Sequence, residues 1–367
     1  MRRRRVRVVK AVHGGDMHAL GSRLGRDPAS LLDFSANVNP LGPPDGVRAA
    51  LRALATDPAE IERYPDPRYV ALRNAFATRH GVDADRIVVA NGSAALVGAA
   101  LRALDPKRCV VSVPAFSEYA KGLHDARVEP IEVPVDPVTF AVDDAALVRA
   151  AETSGATACL LSNPNNPTGV LTPRATIVAL AAALHALGRT LIVDEAFVDY
   201  VPHASCVDDA AGAIVLRSLT KFYAMPGIRI GYAVAPGALA ERVADALPSW
   251  PVGAIEQRVA LAAIADAGYD ARTRAINAAE RERVRDRLAN LGYRISSSAA
   301  NFLLVDVTCC GTTADRFADD LASRFGIAVR ACDDYHGLPA RTFVRVAIRS
   351  RADDDRLLVA FAALRGV

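Results

Sequence analysis

Short runs of apolar, β-branched residues recur along the first two thirds of the chain, separated by alanine- and leucine-rich stretches with helical spacing. Residues 86–92 (RIVVANG), 109–114 (CVVSVP), 158–164 (ACLLSNP), 190–196 (TLIVDEA), 213–218 (AIVLRS) and 228–235 (IRIGYAVA) predict strands. Between them, 97–104 (VGAALRAL), 143–152 (DDAALVRAAE) and 173–187 (PRATIVALAAALHAL) predict helices by spacing and propensity. The strand runs are apolar at consecutive positions, so both faces are expected to be buried. Such strands alternating with helices predict an α/β fold with a mainly parallel central sheet and helices on both faces. The run 228–235 follows 213–218 after only a loop, so the sheet is expected to hold one antiparallel strand.

The pattern changes near Leu247-Pro-Ser-Trp-Pro251. Beyond it come two long helical patterns, 254–267 and 270–291, then the shorter strand patterns 301–307 (NFLLVDV), 327–331 (IAVRA) and 343–349 (FVRVAIR). One helix is expected after Thr312 and another near the end. This predicts a smaller α+β domain over 248–367, behind a large domain over 46–247. Residues 1–45, rich in Gly and Pro around 39–44, read as an N-terminal arm.

Composition narrows the function classes. Of 367 residues, 51% are hydrophobic and 23% charged, as in an ordinary soluble globular protein. A net charge of +3 is too small to point to nucleic acid. No span is apolar enough to predict a membrane helix or a signal peptide. The opening MRRRR reads as a disordered tip, with an RNA-binding arm as the alternative. Six scattered cysteines without a C-x-x-C pair indicate neither a zinc site nor a disulfide framework, and fit a reducing cytoplasm.

Four motifs fall where strands are expected to end, the usual place for ligands in open α/β sheets. In Asn91-Gly-Ser-Ala-Ala-Leu96, small residues at a helix start expose backbone N–H groups to an anion; taken alone, the segment reads first as an ordinary strand–helix turn capped by Ser93. Ser162-Asn-Pro-Asn-Asn-Pro-Thr-Gly169 is a stiff asparagine-rich loop, or an elaborate turn. Asp194 ends an apolar strand, where a carboxylate is costly without a cationic partner; a helix cap is the alternative. Ser218-Leu-Thr-Lys-Phe-Tyr-Ala-Met-Pro-Gly-Ile-Arg-Ile-Gly231 puts a lone lysine, Lys221, in an uncharged segment, with Arg229 eight residues on. Gly227 and Gly231 would permit close backbone approach. A phosphate cradle, a fixed amide, a carboxylate and a lysine together suit pyridoxal 5′-phosphate: its aldehyde needs an amine, its ring nitrogen a carboxylate, and its phosphate donors and positive charge. An uncharged setting suits a lysine that must be neutral to attack a carbonyl.

The order NPNNPTG, DEAF, SLTK and PGIRIG resembles the fold-type I aminotransferases of class I/II, over nearly the whole chain. The resemblance implies that Lys221 carries the cofactor covalently, that Asp194 pairs with its ring nitrogen, and that Asn166 bonds its ring oxygen. It implies that Ser93, Ala94, Ser218 and Arg229 hold the phosphate and that Phe116 stacks on the ring, although Phe116 also reads as a core phenylalanine. Tyr64, in RYPDP, would reach the phosphate of a partner subunit, which implies a homodimer. Arg345 would bind the substrate carboxylate; strand alternation alone leaves a solvent face equally open for it. Where many members have a tyrosine three residues after the aspartate, this chain has Phe197.

Within that group, YPDP and NPNNPTG are similar to both histidinol-phosphate aminotransferases and the threonine-phosphate decarboxylases of cobalamin biosynthesis. The segments His13-Gly-Gly-Asp16 and Leu32-Asp-Phe-Ser-Ala-Asn-Val-Asn-Pro-Leu-Gly-Pro43 resemble the decarboxylases. The expected reaction is then a PLP-dependent decarboxylation of L-threonine O-3-phosphate, with histidinol-phosphate transamination, or a non-catalytic cofactor-sensing protein, as alternatives. A phosphorylated amino acid needs a second anion site, for which His13, Asn37 and Arg330 are the candidates, Arg330 foremost because a guanidinium fork fits a phosphate.

Overall fold

The computed structural model describes residues 14–209 and 212–366. In chain order its strands are β1 (Leu32–Asp33), β2 (Ile87–Ala90), β3 (Arg108–Val113), β4 (Glu129–Pro134), β5 (Ala158–Ser162), β6 (Thr190–Asp194), β7 (Ile214–Ser218) and β8 (Gly231–Val234). They continue with β9 (Arg294–Ile295), β10 (Phe302–Asp306), β11 (Ile327–Ala328), β12 (Arg330–Ala331) and β13 (Phe343–Ala347).

Seven strands form the central sheet in the order β2-β8-β7-β6-β5-β3-β4. All run parallel except β8, which is antiparallel to both its neighbours; this is the strand expected to reverse. The consecutive apolar residues of the strand runs serve two cores. In β5, Cys159 and Leu161 face one cluster while Ala158 and Leu160 face the other. Helices Val70–His80, Asp144–Ser154 and Arg174–Ala186 cover the first face through Phe76, Leu147 and Leu180. Helices Ser93–Leu104, Ser117–Asp125 and Gly237–Asp245 cover the second through Leu101, Leu123 and Val243. The architecture is the fold-type I α/β arrangement.

A second, four-stranded antiparallel sheet, β12-β13-β10-β9, packs under the C-terminal helix Arg351–Arg365 and the long helix Ala267–Asn290 around Val305, Phe317, Val346 and Phe361. The pattern 327–331 predicts one strand; the structure breaks it into β11 and β12, which join different sheets. β11 pairs in parallel with β1. Residues 32–34 are thus built into the C-terminal unit: Phe34 is fully buried in its core, and its carbonyl accepts from Ala347 N at 2.9 Å. Farther on, Asn39 bonds Phe222 O, Tyr269 Oη and Thr273 Oγ1 at 2.8–3.0 Å. The N-terminal segment therefore crosses from the small sheet to the loop that carries Lys221. The two long helical patterns are helices Ala254–Ile264 and Ala267–Asn290, the second capped by Asp266.

Candidate active site

Parallel strands leave their carboxyl ends along one edge of a sheet, and this edge gathers the motifs. β2 leads to Ser93, β3 to Phe116, β5 to Asn166, β6 ends at Asp194, and β7 leads to Lys221. A cavity of about 320 Å³ lies there, bordered on its other side by β12 and β13. Eleven of the thirteen residues singled out from sequence line it: Asn37, Ser93, Ala94, Phe116, Asn166, Asp194, Ser218, Lys221, Arg229, Arg330 and Arg345. Tyr64 does not; it is 83% exposed and lies against Trp250, with ring centroids 4.8 Å apart. His13 lies outside the described residues.

Asp194 is buried at the end of β6. Its Oδ1 accepts from Ala196 N at 3.0 Å and its Oδ2 from Tyr119 Oη at 2.9 Å. Burial pushes its carboxyl up to about 6, while the two donors pull the other way. The neighbouring Glu195, fully buried, pairs with Arg217 on β7 at 2.9 Å, and Arg217 pairs with Asp199 at 2.6 Å. Removing one partner from such a buried cluster costs about 3–5 kcal/mol, so the cluster fixes the ends of β6 and β7 beside each other.

Lys221 follows β7. Burial, then the Arg345 and Arg229 guanidiniums, push its ammonium down to about 8. About a tenth of the amine is then uncharged at pH 7, against less than about a thousandth for an ordinary lysine, and the uncharged amine is the form that can attack an aldehyde.

At the near end of the cavity, helix Ser93–Leu104 points its N-terminus inward, with Gly92 at φ +82° before it. A Cβ on Gly92 would meet Arg229 Nη2 at 2.9 Å, and one on Gly231 would meet Ser93 N at 2.9 Å. The bare backbone is therefore what lets the helix start, Arg229 and β8 converge. Gly227 has open space about it, so the expected close approach holds at Gly231 and not there. Ser218 Oγ and Thr220 Oγ1 lie 2.9 Å apart on the same side.

The asparagine loop divides its labour. Asn163 exchanges bonds with Thr172, and Asn165 bonds Pro114 O and the Thr168 hydroxyl, all at 2.8–3.0 Å. These two build the turn and leave Asn166 to the cavity.

Across the cavity, Arg345 is buried, so the solvent-facing reading of β13 fails at that position. Its Nη1 donates to Asn166 Oδ1 at 2.5 Å and its Nη2 to Ser35 O at 3.1 Å. Arg330 is its direct cross-strand partner and is buried too. Arg330 Nη2 holds Asp334 at 2.6 and 2.7 Å; among the described residues no carboxylate pairs with Arg345. Like charges facing each other across a strand pair repel. Two guanidiniums are thus buried side by side at this end of the cavity, with one carboxylate, Asp334, beside them among the described residues.

Residues of the two N-terminal motifs border this cluster, with Gly14, Ser35, Ala36 and Asn37 all on the cavity wall. A Cβ at Gly14 would lie 2.1 Å from Ser35 O, so only glycine fits that approach. Asp16 of the same motif caps helix Met17–Leu24 through Ala19 N. Sequence reasoning passed over Tyr119 and Tyr335, both in the site. Nothing in sequence spacing shows that a phenol three residues after Phe116 reaches Asp194, or that a loop tyrosine reaches both Arg330 and Arg345.

A lysine and a carboxylate at the carboxyl edge of a parallel sheet, with a helix N-terminus beside them, define a cofactor-dependent enzyme of the aminotransferase kind. The chain belongs to the aminotransferase class I and II family, whose sequence profile matches residues 29–361, and is a PLP-dependent enzyme. It is 36% identical to the threonine-phosphate decarboxylase of Salmonella typhimurium, over 98% of this chain and 97% of the relative. It is 32% identical to the histidinol-phosphate aminotransferase of Granulibacter bethesdensis, over 91% of this chain and 89% of the relative. Among solved structures, the histidinol-phosphate aminotransferase of Sinorhizobium meliloti in complex with pyridoxal-5′-phosphate has a TM-score of 0.85 at 25% identity, covering 100% of this chain and 98% of its own. Among the described residues, no helix is long and apolar enough to cross a membrane.

Proposed function

We propose that the chain decarboxylates L-threonine O-3-phosphate to (R)-1-amino-2-propanol O-2-phosphate, using PLP held by Lys221. The observation that carries this reading is the buried cross-strand pair Arg330 and Arg345. O-Phosphothreonine brings a carboxylate and a phosphate on one small molecule and would satisfy both guanidiniums at once. Histidinol phosphate has no carboxylate, so in a transamination Arg345 would be matched only by the 2-oxo acid of the other half-reaction and never together with Arg330 by one phosphorylated substrate. The 36% identity to a threonine-phosphate decarboxylase over nearly the whole chain supports the same choice.

The donor set fits the cofactor. The helix start at Ser93 and Ala94, with Ser218 and Arg229, suits its phosphate; Asp194 suits its ring nitrogen, Asn166 Nδ2 its ring oxygen, and the face of Phe116 its ring. Phe197 offers no hydroxyl and instead packs edge-on against Phe302, with centroids 5.0 Å apart, so Asn166 alone serves the ring oxygen from that side. Bound, the cofactor supplies an electron sink for the pair released when a bond to the substrate α-carbon breaks.

The residues then do the rest. Arg345 holds the α-carboxylate and Arg330 and Asn37 the phosphate, which together fix the rotation of the substrate about its α-carbon. A tight pair with Arg345 favours the carboxylate before it is lost, so Arg345 positions rather than accelerates. Departure of CO₂ leaves an electron pair on the α-carbon, and Lys221 Nζ delivers the proton that quenches it. Asp194, once beside a cationic ring nitrogen, stays ionised and stabilises that charge. Tyr64 would reach the phosphate in the site of a second copy, making the working unit a homodimer.

One assay tests the reading. The enzyme is offered O-phosphothreonine, with CO₂ and any 2-oxo acid both measured, then histidinol phosphate with 2-oxoglutarate. CO₂ without 2-oxo acid is expected; glutamate formed from 2-oxoglutarate with the amino group of histidinol phosphate would replace the proposal by transamination. Arg345→Ala should raise KM for O-phosphothreonine at least about 30-fold, the scale of truncating one half of a buried charge pair. An unchanged KM would remove Arg345 from the carboxylate site. Tyr119→Phe takes a donor from Asp194 and should raise the dissociation constant of PLP roughly ten-fold; equal affinities in a spectrophotometric titration would show that the phenol only fills space.

A further inference from the structure

Arg330 and Arg345 face each other across β12 and β13, roughly 5 Å apart at Cβ. Long guanidinium side chains placed this way would splay toward water unless something held them, yet 8% and 6% of their surfaces are exposed. Asp334 offsets one charge. Among the described residues, Tyr335 makes a contact with each of the two guanidiniums.

We propose that Tyr335 is a specificity-determining residue that fixes the separation and orientation of these two guanidiniums, so that the site selects an amino acid bearing a phosphate on a short side chain. The inference rests on reading the two arginines as the substrate's anion sites. The face of the Tyr335 ring lies under Arg330, 5.4 Å from the guanidinium carbon to the centroid. Its hydroxyl is 3.4 Å from Arg345 Nη1 and 3.4 Å from Asn166 Oδ1. One side chain thus touches both cations and the amide that Arg345 holds.

Tyrosine suits the task because its ring is rigid, with two side-chain torsions to fix. Its ring face attracts a guanidinium without adding a competing negative charge. Burial raises the phenol above its ordinary range, so it stays a neutral hydroxyl where the enzyme works. The loop that carries it is tied back to the small sheet where Cys332 N donates to Phe343 O at 3.0 Å, and it closes on itself where Leu338 N donates to Tyr335 O at 3.2 Å. A carboxylate on Arg345 and a phosphate on Arg330 would therefore meet donors held at a set spacing, and a ligand with its second anion absent or farther out would meet only one.

The test is binding of O-phospho-L-threonine and of L-threonine to the PLP-loaded protein, read by stopped flow from the cofactor's visible absorbance before the substrate turns over, with inorganic phosphate titrated calorimetrically in parallel. The wild type should prefer the phosphorylated ligand by at least about a hundred-fold, the scale of a desolvated charge pair. Tyr335→Leu should cut that preference about ten-fold or more and weaken phosphate alone, since the ring under Arg330 is lost. Tyr335→Phe keeps the ring; it should hold the preference within about two-fold while weakening both amino acids about three-fold, the scale of one net hydrogen bond. A preference unchanged in Tyr335→Leu, or equally damaged in Tyr335→Phe, overturns the inference, as does a wild type that binds both amino acids alike. Because these are binding measurements, they stand apart from turnover. Tight, Tyr335-dependent binding of O-phosphothreonine without CO₂ release would overturn the decarboxylase reading and leave this inference standing.

Discussion

Asp194→Asn should make the cofactor-free protein more stable above pH 6 and cripple the enzyme. The carboxyl is buried beside Tyr119, no cation pairs with it among the described residues, and burial raises it to about 6 from an ordinary 3.8. A carboxyl whose folded value is raised binds its proton more tightly in the fold than in the unfolded chain. Stability of the apoprotein should therefore fall as pH rises from about 4 to about 6, and the full cost, about 2–3 kcal/mol, persists above that window. Asparagine carries no charge to bury, and the Tyr119 hydroxyl can turn from donor to acceptor to meet the new amide. Thermal unfolding of the apoprotein at pH 8 should shift upward by a few degrees. The same change should lower kcat by about 10²–10³, as expected for loss of a charge aimed at the developing transition state. A variant with lower stability and normal turnover would mark Asp194 as a structural cap.

Lys221→Ala should lower turnover by more than about a thousand-fold, because among the described residues no other amine lines the cavity to take the nucleophile's place. The fold should barely notice. Among the described residues no hydrogen bond or ion pair holds Lys221 Nζ, and Arg345 and Arg229 repel its charge. Unfolding in urea should give a midpoint equal to or above that of the wild type. A small external amine added to the variant should restore part of the rate. Turnover close to wild type, or a collapse of stability, would mean that the lysine is not the working amine.

These effects trace to residues that were legible from the chain alone to different degrees. The central sheet was open to reading because strands buried on both faces announce themselves as unbroken apolar runs, and the reversal of β8 showed in the shortness of its connection. Parallel order then placed Ser93, Asn166, Asp194 and Lys221 on one edge without further information. The small sheet was harder. β11 and β12 are two residues each, and a one-residue break at Val329 sends them to different sheets, a distinction that a five-residue apolar run does not encode. The path of residues 32–39 was hidden too, since a two-residue parallel pairing with β11 is a tertiary choice and not a local propensity. Arg345 showed the limit of alternation: period two says which residues share a face, and only the loop with Tyr335 closing over it decides whether that face is wet. Tyr119 and Tyr335 escaped for the same reason, as both act through contacts made far from their sequence neighbours.

The most direct measurement is reduction of the PLP-loaded protein with borohydride, followed by peptide mapping by mass spectrometry. The account predicts one phosphopyridoxyl mass addition, on the peptide that contains Lys221, and none in Lys221→Ala. A tag on Lys107 or Lys121, or loaded protein that carries no reducible linkage, would contradict it.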